Sequence, residues 1–458
     1  HIAPPFRRWM PCTGGTGIMT DPGPKAGRAV PSGRLARIAA MGSLATGIGG
    51  AVLVGGARQL ATGQRPRLSD LVLTPGNARR VADQLAHLRG AAMKMGQLLS
   101  MDAGEVLPPE LAAILSRLRS DADPMPPQQL RRVLDAVWGQ GWLARFQRFD
   151  VRPIAAASIG QVHRAQTRDG RDLAIKVQYP GIRASIDSDV DNVATLLRLS
   201  GMVPARLDLR PLLEEAKRQL HEEADYRREA AQMQRFAGLL AGDAAFRVPV
   251  AQADWSTDSV LAMDFIDSQP IEALTSAPQA ERDRVARDLI RLVLAEVFDF
   301  NLMQTDPNFA NFRYSPSDGR IVLLDFGATR SFGPDIAPGL RQLLRAGVAG
   351  EDAGVMAVLD RLGFLPADMS APHRAEVAAL ARIGFAPLRQ GGVFDFARRD
   401  FLAEMRERGM ALGLDRDLWH VPPPDLLFLN RKFGGLYLLA TKLAARVDLD
   451  PLIAPYLA

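Results

Sequence analysis

Three polar side chains in the second half of the chain have types and spacing suited to phosphoryl transfer. Asp306 and Asn311 are five positions apart, and Asp325 follows Asp306 by nineteen, directly after the apolar run 321–324. In such a reaction one carboxylate orients or deprotonates the acceptor, while an asparagine and a second carboxylate hold magnesium. We therefore predict that Asp306 is catalytic and that Asn311 and Asp325 are ligands of Mg²⁺.

A lysine and a small-residue loop upstream predict where ATP would bind. Lys176 lies in the apolar run Leu-Ala-Ile-Lys-Val, as does the lysine that kinases place on the α- and β-phosphates. Nineteen residues before it, Ala157 lies in the loop Ala-Ala-Ala-Ser, where a kinase has a glycine-rich cover. Alanine keeps the loop small but restricts its backbone. The predicted nucleotide contacts are Ala155, Ala156, Ala157, Ser158, Lys176 and, in a later predicted strand, Met263.

Lys176 needs a buried carboxylate partner to hold its charge in place. A helix predicted over 211–236 offers Glu214, Glu215, Glu222, Glu223, Asp225 and Glu229. Glu223 and Glu229 are six positions apart, a net rotation of about 240° on one helix. On that interpretation two of the acids serve different partners, but their spacing does not select which one pairs with Lys176.

Two features disfavour a protein substrate. Gln304 and Thr305 precede Asp306, so the arginine that would receive an activation-loop phosphate is missing. The six residues after Gly327 read Ala-Thr-Arg-Ser-Phe-Gly and lead into a predicted helix, without the Ala-Pro-Glu segment typical of protein kinases. A small-molecule or lipid acceptor, or water, is therefore favoured.

The order of these motifs is that of a two-lobed, protein-kinase-like fold, and the elements around them predict the α+β class. Segments 161–166 and 173–178 predict a hairpin, 185–199 and 211–239 predict helices, 248–251 and 259–265 predict strands, and the chain from 279 onward is mostly helical. We expect a basic, disordered tail (1–37), a Gly/Ala-rich apolar segment (38–64), a helical extension (65–144), a small β-containing N-lobe with a helical insertion (145–266) and a mainly helical C-lobe (267–458).

Composition and charge exclude further classes of function. With 458 residues, 47% of them hydrophobic, the chain can bury large cores. The net charge of +5 is carried by residues 1–37, which hold six basic residues and one acidic residue. The rest is neutral, so the basic pI does not indicate nucleic-acid binding. The single cysteine, Cys12, excludes an internal disulfide or a cysteine metal cluster.

Residues 38–57 form a twenty-residue stretch without charge. Its length would span a bilayer, yet it contains six glycines and is only modestly apolar. Small residues at four-residue spacing suit close helix packing in a membrane or in a protein. Membrane spanning, attachment to a membrane surface, and soluble packing or disorder therefore all stay open. No other stretch is expected to cross a membrane.

Taken together, these segments resemble the UbiB/ADCK family of atypical kinases, in its coenzyme Q branch, from about residue 65 to 335. Four sequences carry the resemblance: Lys-Met-Gly-Gln at 94–97, Ala-Ala-Ala-Ser at 155–158, Glu-Ala-Asp-Tyr-Arg-Arg-Glu at 223–229, and Gln-Thr-Asp-Pro-Asn-Phe-Ala-Asn-Phe at 304–312. The resemblance implies that Lys94, as a catalytic residue, and Gln97 lie over the nucleotide. It also implies that Glu223 and Asp225 face Lys94, and that Glu229 pairs with Lys176.

The resemblance further implies ATP hydrolysis, support of ubiquinone biosynthesis and association with an anionic membrane surface, lipid or quinone-biosynthesis proteins. A bacterial protein would be cytoplasmic and peripheral to the inner membrane, and a eukaryotic one would lie on the matrix side in mitochondria. Two alternatives are a conventional protein kinase and a non-catalytic, nucleotide-gated scaffold that binds lipid or biosynthetic proteins.

Overall fold

The computed structural model describes residues 18–19, 124–157, 159–199, 210–306, 308–365, 368–398, 403–405, 407–408 and 423–457. Most of the tail, all of the apolar segment and most of the helical extension lie outside these residues, as do Lys94, Gln97 and Ser158. Among the residues described, no helix is both long and apolar enough to cross a bilayer. The domain boundaries stay predictions.

The first sheet carries the predicted hairpin at its centre. Its strands are β1 (Ile18–Met19), β2 (Phe146–Phe149), β3 (Ala155–Ala156), β4 (Gly160–Thr167), β5 (Asp172–Gln178) and, later in the chain, β7 (Val260–Asp264). Their order is β1-β2-β4-β5-β7, with β3 paired to β4. Strands β4 and β5 are antiparallel and place Val162 opposite Lys176. The hairpin turn uses Gly170 at φ 91°, a conformation that glycine adopts without a steric penalty.

An aromatic cluster anchors helix α1 (Pro127–Trp138) to one end of this sheet. Proline suits the first turn of a helix because an amide there needs no helical partner. The cluster joins rings whose centroids lie 4.4 to 5.8 Å apart: Trp138, Trp142, Phe146, Phe149 and Trp255. Edge-on and tilted ring pairs of this kind stabilise the fold beyond the free energy gained by burying the rings. The cluster therefore fixes the sheet against the segment that precedes it.

Three helices follow β5: α2 (Ile182–Leu199), α3 (Arg210–Glu223) and α4 (Tyr226–Leu239). The prediction of one continuous helix over 211–239 is wrong. The chain leaves helical geometry at Ala224–Asp225, and the Asp225 carboxylate accepts a hydrogen bond from Arg228 N at 3.0 Å. This side-chain cap satisfies an amide that would otherwise lack a partner in the first turn of α4. Glu223 and Glu229 therefore lie on different helices, and their angle on a single helix has no meaning.

The second half of the chain combines short strands with helices. The strands are β6 (Phe246–Arg247), β8 (Gln269–Pro270), β9 (Met303–Gln304), β10 (Phe312–Ser315), β11 (Arg320–Leu323), β12 (Thr329–Arg330), β13 (Val393–Asp395) and β14 (Arg446–Asp448). The helices are α5 (Gln279–Phe298), α6 (Ile336–Ala349), α7 (Asp352–Leu362), α8 (Ala371–Gln390), α9 (Pro424–Lys442) and α10 (Asp450–Leu457). One sheet has the order β6-β11-β10-β8, and β9 pairs with β12.

The predicted strand at 248–251 is wrong in position. Strand β6 ends at Arg247, and downstream Ala251 forms only an isolated bridge to Met263. Pro249 explains the interruption, because it has no backbone N–H to donate to a ladder. Strand β6 pairs with β11 instead of joining the first sheet.

A buried histidine ties the first sheet to the start of α1. The His163 ring nitrogen Nδ1 donates to the Asp150 carbonyl at 2.8 Å, and Nε2 accepts from Gln161 Nε2 at 2.9 Å. Gln161 Oε1 accepts from Met125 N at 2.7 Å, which orients its amide nitrogen toward the ring. A proton on Nε2 would face this amide donor. Burial lowers the pKa of His163 to about 4, although the neighbouring Asp150 carbonyl opposes the shift.

This histidine is expected to make stability depend on pH. The unfolded chain binds the proton below about pH 6.5, whereas the folded chain does not until about pH 4, so the free energy of unfolding falls as pH falls. Between pH 7 and pH 5 the loss is expected to be about 2 kcal/mol. Urea denaturation at both values measures it. In His163→Gln the pH-dependent difference should shrink by that amount, and an unchanged difference would contradict the assignment.

Candidate functional site

Lys176 and Glu229 form a buried ion pair between the first sheet and helix α4. Lys176 Nζ lies 2.8 Å from Glu229 Oε1 and 2.9 Å from Oε2. The two residues are 8% and 1% exposed. Strand β5 points the lysine to the face on which α4 packs, and the cap at Asp225 starts that helix one turn before Glu229. The pair therefore sets the distance between helix and sheet.

A second carboxylate reaches the same lysine. Asp325 Oδ2 lies 3.9 Å from Lys176 Nζ, and the aspartate side chain is 36% exposed. Burial alone would lower the pKa of Lys176, but the charges of Asp325 and Glu229 outweigh burial and raise it. The ammonium group therefore stays charged. Burial raises the pKa of the Glu229 carboxyl to about 7, against the opposing charge of Lys176.

Asp325 occupies a strained backbone position. Its φ is +62°, in the left-handed region that non-glycine residues rarely adopt. Gln304 Nε2 donates to the Asp325 carbonyl at 3.2 Å, and Gly327 N donates to Asp325 Oδ1 at 3.2 Å. Arg228 Nη1 donates to the Gly327 carbonyl at 2.6 Å. Such strain persists only where the surroundings hold it, and here those bonds aim the Asp325 carboxylate at Lys176.

Asp306 and Asn311 meet at the end of the β10–β11 hairpin. Asn311 Nδ2 donates to Asp306 Oδ2 at 3.1 Å. Leu324 N donates to the Asn311 carbonyl at 2.8 Å. Since β10 begins just after Asn311 and β11 ends just before Leu324, the antiparallel pairing brings Asn311 beside the turn at Asp325. The two catalytic segments therefore converge on one place.

The side-chain oxygen atoms of Asn311 and Asp325 are suitable ligands for Mg²⁺. The Asn311 amide nitrogen donates to Asp306, and no side chain or backbone group in the described ranges donates to the Asn311 amide oxygen. Asp325 adds a carboxylate that is partly exposed. One or two such oxygens together with substrate phosphates are a typical Mg²⁺ set. Across the described residues, no group of three or more His, Cys, Asp or Glu side chains is arranged to hold a metal alone.

The described part of the alanine loop, Ala155–Ala157, folds back against β4. Strand β3 pairs Ala155 with Val162 and Ala156 with Gln161, and Ala157 N donates to the Gly160 carbonyl at 2.9 Å. A Cβ on Gly160 would lie 2.4 Å from the Val177 carbonyl oxygen, so only glycine allows this approach. Sequence reasoning missed Gly160. The one glycine near the alanine loop was the available signal.

Two further predicted residues, Glu223 and Met263, lie near the same centre. Glu223 is the last residue of α3. Its Cα and Cγ lie 3.6 Å from the place where a Cβ would be if Gly327 were a larger residue. Met263 is opposite Ala174 on β5 and is 7% exposed. Because cross-strand partners share a face, Met263 lies on the same face as Lys176. Sequence reasoning also missed Arg228, which bonds the carbonyls of both Gly327 and Thr329.

Comparisons with known proteins bear on this arrangement. The ABC1 atypical kinase-like domain matches residues 117–359. The mitochondrial atypical kinase COQ8 of Saccharomyces cerevisiae is 37% identical over 420 residues, which cover 91% of this chain and 83% of that protein. The mitochondrial atypical kinase COQ8B of Rattus norvegicus is 37% identical over 423 residues, 92% of this chain and 80% of that protein. Rv3197 of Mycobacterium tuberculosis, solved in complex with erythromycin, gives a TM-score of 0.57 at 26% identity, covering 81% of this chain and 92% of that chain.

These likenesses confirm the resemblance to the UbiB/ADCK atypical kinases that the sequence motifs predicted. They also confirm the α+β, protein-kinase-like fold and the assignment to the atypical kinase class of enzymes. The family match extends from before α1 into α7, so it contains both the Lys176–Glu229 pair and the Asp306 and Asp325 segments. The chain belongs to the family of ABC1 atypical kinase-like proteins.

Proposed function

We propose that this protein is an ATP- and Mg²⁺-dependent atypical kinase or ATPase that supports coenzyme Q biosynthesis. The observation that carries the proposal is the position of the Lys176 ammonium, 2.8 Å from Glu229 and 3.9 Å from Asp325. A buried cation that lies between the buried carboxylate of Glu229 and the partly exposed carboxylate of Asp325 suits the binding of a nucleoside triphosphate with its metal.

Each residue has a distinct role in this proposal. Lys176 neutralises phosphate charge, and Glu229 holds the lysine in place. Asn311 and Asp325 would hold Mg²⁺, which neutralises charge on the transferring phosphoryl group. Asp306 orients or deprotonates the acceptor hydroxyl or water. Lys94 acts in catalysis and, with Gln97, lies over the nucleotide, where Glu223 and Asp225 face Lys94. Met263 and the loop residues Ala155, Ala156, Ala157 and Ser158 complete the nucleotide site.

The biological assignment rests on the family. The COQ8 relatives are named as mitochondrial atypical kinases, and the sequence motifs resemble the coenzyme Q branch. The acceptor is a small molecule, a lipid or water, because the segment after Gly327 resembles no peptide platform. The protein is peripheral to the inner membrane of a bacterium, or to the matrix side of the membrane in mitochondria, and it associates there with an anionic surface or lipid.

Complementation tests whether catalysis is required. A strain that lacks its own coenzyme Q kinase should regain quinone synthesis with the wild-type chain and lose it with Asp306→Asn. Asp335→Asn is the matched control, because Asp335 is exposed and its side chain makes no cap at the start of α6. Purified protein should hydrolyse ATP, with turnover measured in the presence and absence of anionic liposomes.

The alternatives give different outcomes. If Asp306→Asn complements fully while Asp325→Asn weakens Mg²⁺-dependent nucleotide binding, the protein is a nucleotide-gated scaffold. Strong peptide phosphorylation that survives Lys94→Ala would indicate a conventional protein kinase. Absence of ATP turnover under every condition would overturn the enzymatic proposal.

A further inference from the structure

We propose that Lys432, on helix α9, is a positioning residue that holds the Asp306 and Asp325 segments together through Gln304. This inference rests on the proposed function, since it concerns the alignment of the same two segments. Lys432 is 128 positions from Gln304 in sequence. It also lies beyond residues 117–359, where the match to the kinase-like domain ends.

Lys432 is buried and makes contacts that favour a positioning role. The residue is 2% exposed. Its Nζ donates to the Gln304 carbonyl at 2.7 Å and to Gln304 Oε1 at 3.0 Å. Nζ also lies 3.2 Å from Glu296 Oε2 on α5. Two of these three contacts go to Gln304, so the ammonium group fixes the backbone and the side chain of that residue at once.

Gln304 connects both catalytic segments. It lies two positions before Asp306, and its N donates to Glu296 Oε1 at 3.3 Å. Its Oε1 accepts from Lys432, which turns the amide nitrogen toward the Asp325 carbonyl at 3.2 Å. The next residue, Thr305, donates to the Ala328 carbonyl through both N and Oγ1, at 3.0 and 2.6 Å. A shift of Gln304 would therefore move Asp306 and release the strained Asp325 together.

Helix α9 contacts the segment after Asp325 at two further points. The guanidinium of Arg330 lies 4.4 Å from the Phe428 ring centroid. Gly333 N donates to Asp425 Oδ2 at 3.4 Å. With Lys432, these contacts follow the chain from β9 to the residues just before α6. Helix α9 thus supports both catalytic segments.

A purely structural role has a different signature from a positioning role. Buried ion pairs are often replaceable by uncharged residues without loss of stability, whereas removing one partner leaves a buried charge. Lys432→Met alone would leave Glu296 buried and unpaired. The double variant Lys432→Met/Glu296→Gln removes both charges and keeps an amide oxygen to accept from Gln304 N. The double variant should recover its stability, but it should still lack the two hydrogen bonds from Lys432 to Gln304.

The test combines thermal unfolding, Mg²⁺ titration of the binding of a fluorescent ATP analogue, and ATP turnover. Relative to wild type, the double variant should keep its melting temperature and its metal-free nucleotide affinity. Its apparent Mg²⁺ affinity and its turnover should fall by about 10- to 100-fold, as for residues that orient metal ligands. Arg382→Met, which breaks an exposed pair with Asp352 on α7, is the control and should change none of these values.

Gln304→Met gives a second measurement if the double variant does not fold. It removes the amide that reaches Asp325 but keeps the backbone carbonyl that accepts from Lys432. It too should weaken Mg²⁺ binding more than metal-free nucleotide binding. Wild-type Mg²⁺ dependence in either variant would overturn the role of Lys432, provided that Asp325→Asn abolishes that dependence. If Asp325→Asn also has no effect, the proposed function itself is wrong.

Discussion

Asp325→Asn is expected to lower ATP turnover by about a thousandfold, because a neutral amide replaces the carboxylate that would hold Mg²⁺. The carboxylate is partly exposed and lies 3.9 Å from the Lys176 ammonium, so its charge is aimed at the place where phosphates and metal would meet. Nucleotide binding in the absence of metal should change little. Steady-state turnover across a range of Mg²⁺ concentrations, together with binding of a fluorescent ATP analogue, measures both quantities.

The fold should survive this change. Asn is nearly isosteric with Asp, and asparagine tolerates the left-handed backbone that Asp325 adopts at φ +62°. The melting temperature should therefore stay close to that of wild type, and Asp335→Asn should match wild type in every assay. Turnover in Asp325→Asn within a few-fold of wild type would show that this carboxylate does not serve the metal.

Lys176→Met is expected to destabilise the protein by about 3–5 kcal/mol, since it leaves a buried carboxylate without its cation. Glu229 is 1% exposed, so water cannot replace the lysine. The same change removes the cation that the phosphates would meet, and ATP binding should be lost with it. Urea denaturation at neutral pH gives the free energy of unfolding, and nucleotide-dependent thermal shift gives the loss of binding.

Two variants separate these effects. Lys176→Met/Glu229→Gln removes both charges, so it should recover most of the lost stability while nucleotide binding stays absent. Lys217→Met breaks a pair with the exposed Asp191 on α2, and a surface pair contributes at most about 1 kcal/mol. Equal losses in Lys176→Met and Lys217→Met would contradict the assignment of a buried, energetically important pair.

Sequence patterns predicted the elements whose boundaries depend on local chemistry. Strands β4 and β5 follow from β-branched and apolar residues on either side of the turn at Gly170. Two predictions were wrong where a single residue interrupts a pattern. Asp225 starts a new helix inside an apparently continuous one, and Pro249 stops a strand. Helical propensity on both sides of Asp225 concealed the break.

The order and spacing of Lys176, Asp306, Asn311 and Asp325 were readable from the sequence alone, because each lies in a short motif whose chemistry is local. The choice of Glu229 as the partner of Lys176, among six candidate acids, was implied only by the family resemblance. In the structure, packing of α4 on the sheet brings that one carboxylate to 2.8 Å. The contact from Lys432 to Gln304 was not predictable at all. It joins residues 128 positions apart, and such a contact depends on how α9 packs in three dimensions, which no local spacing encodes.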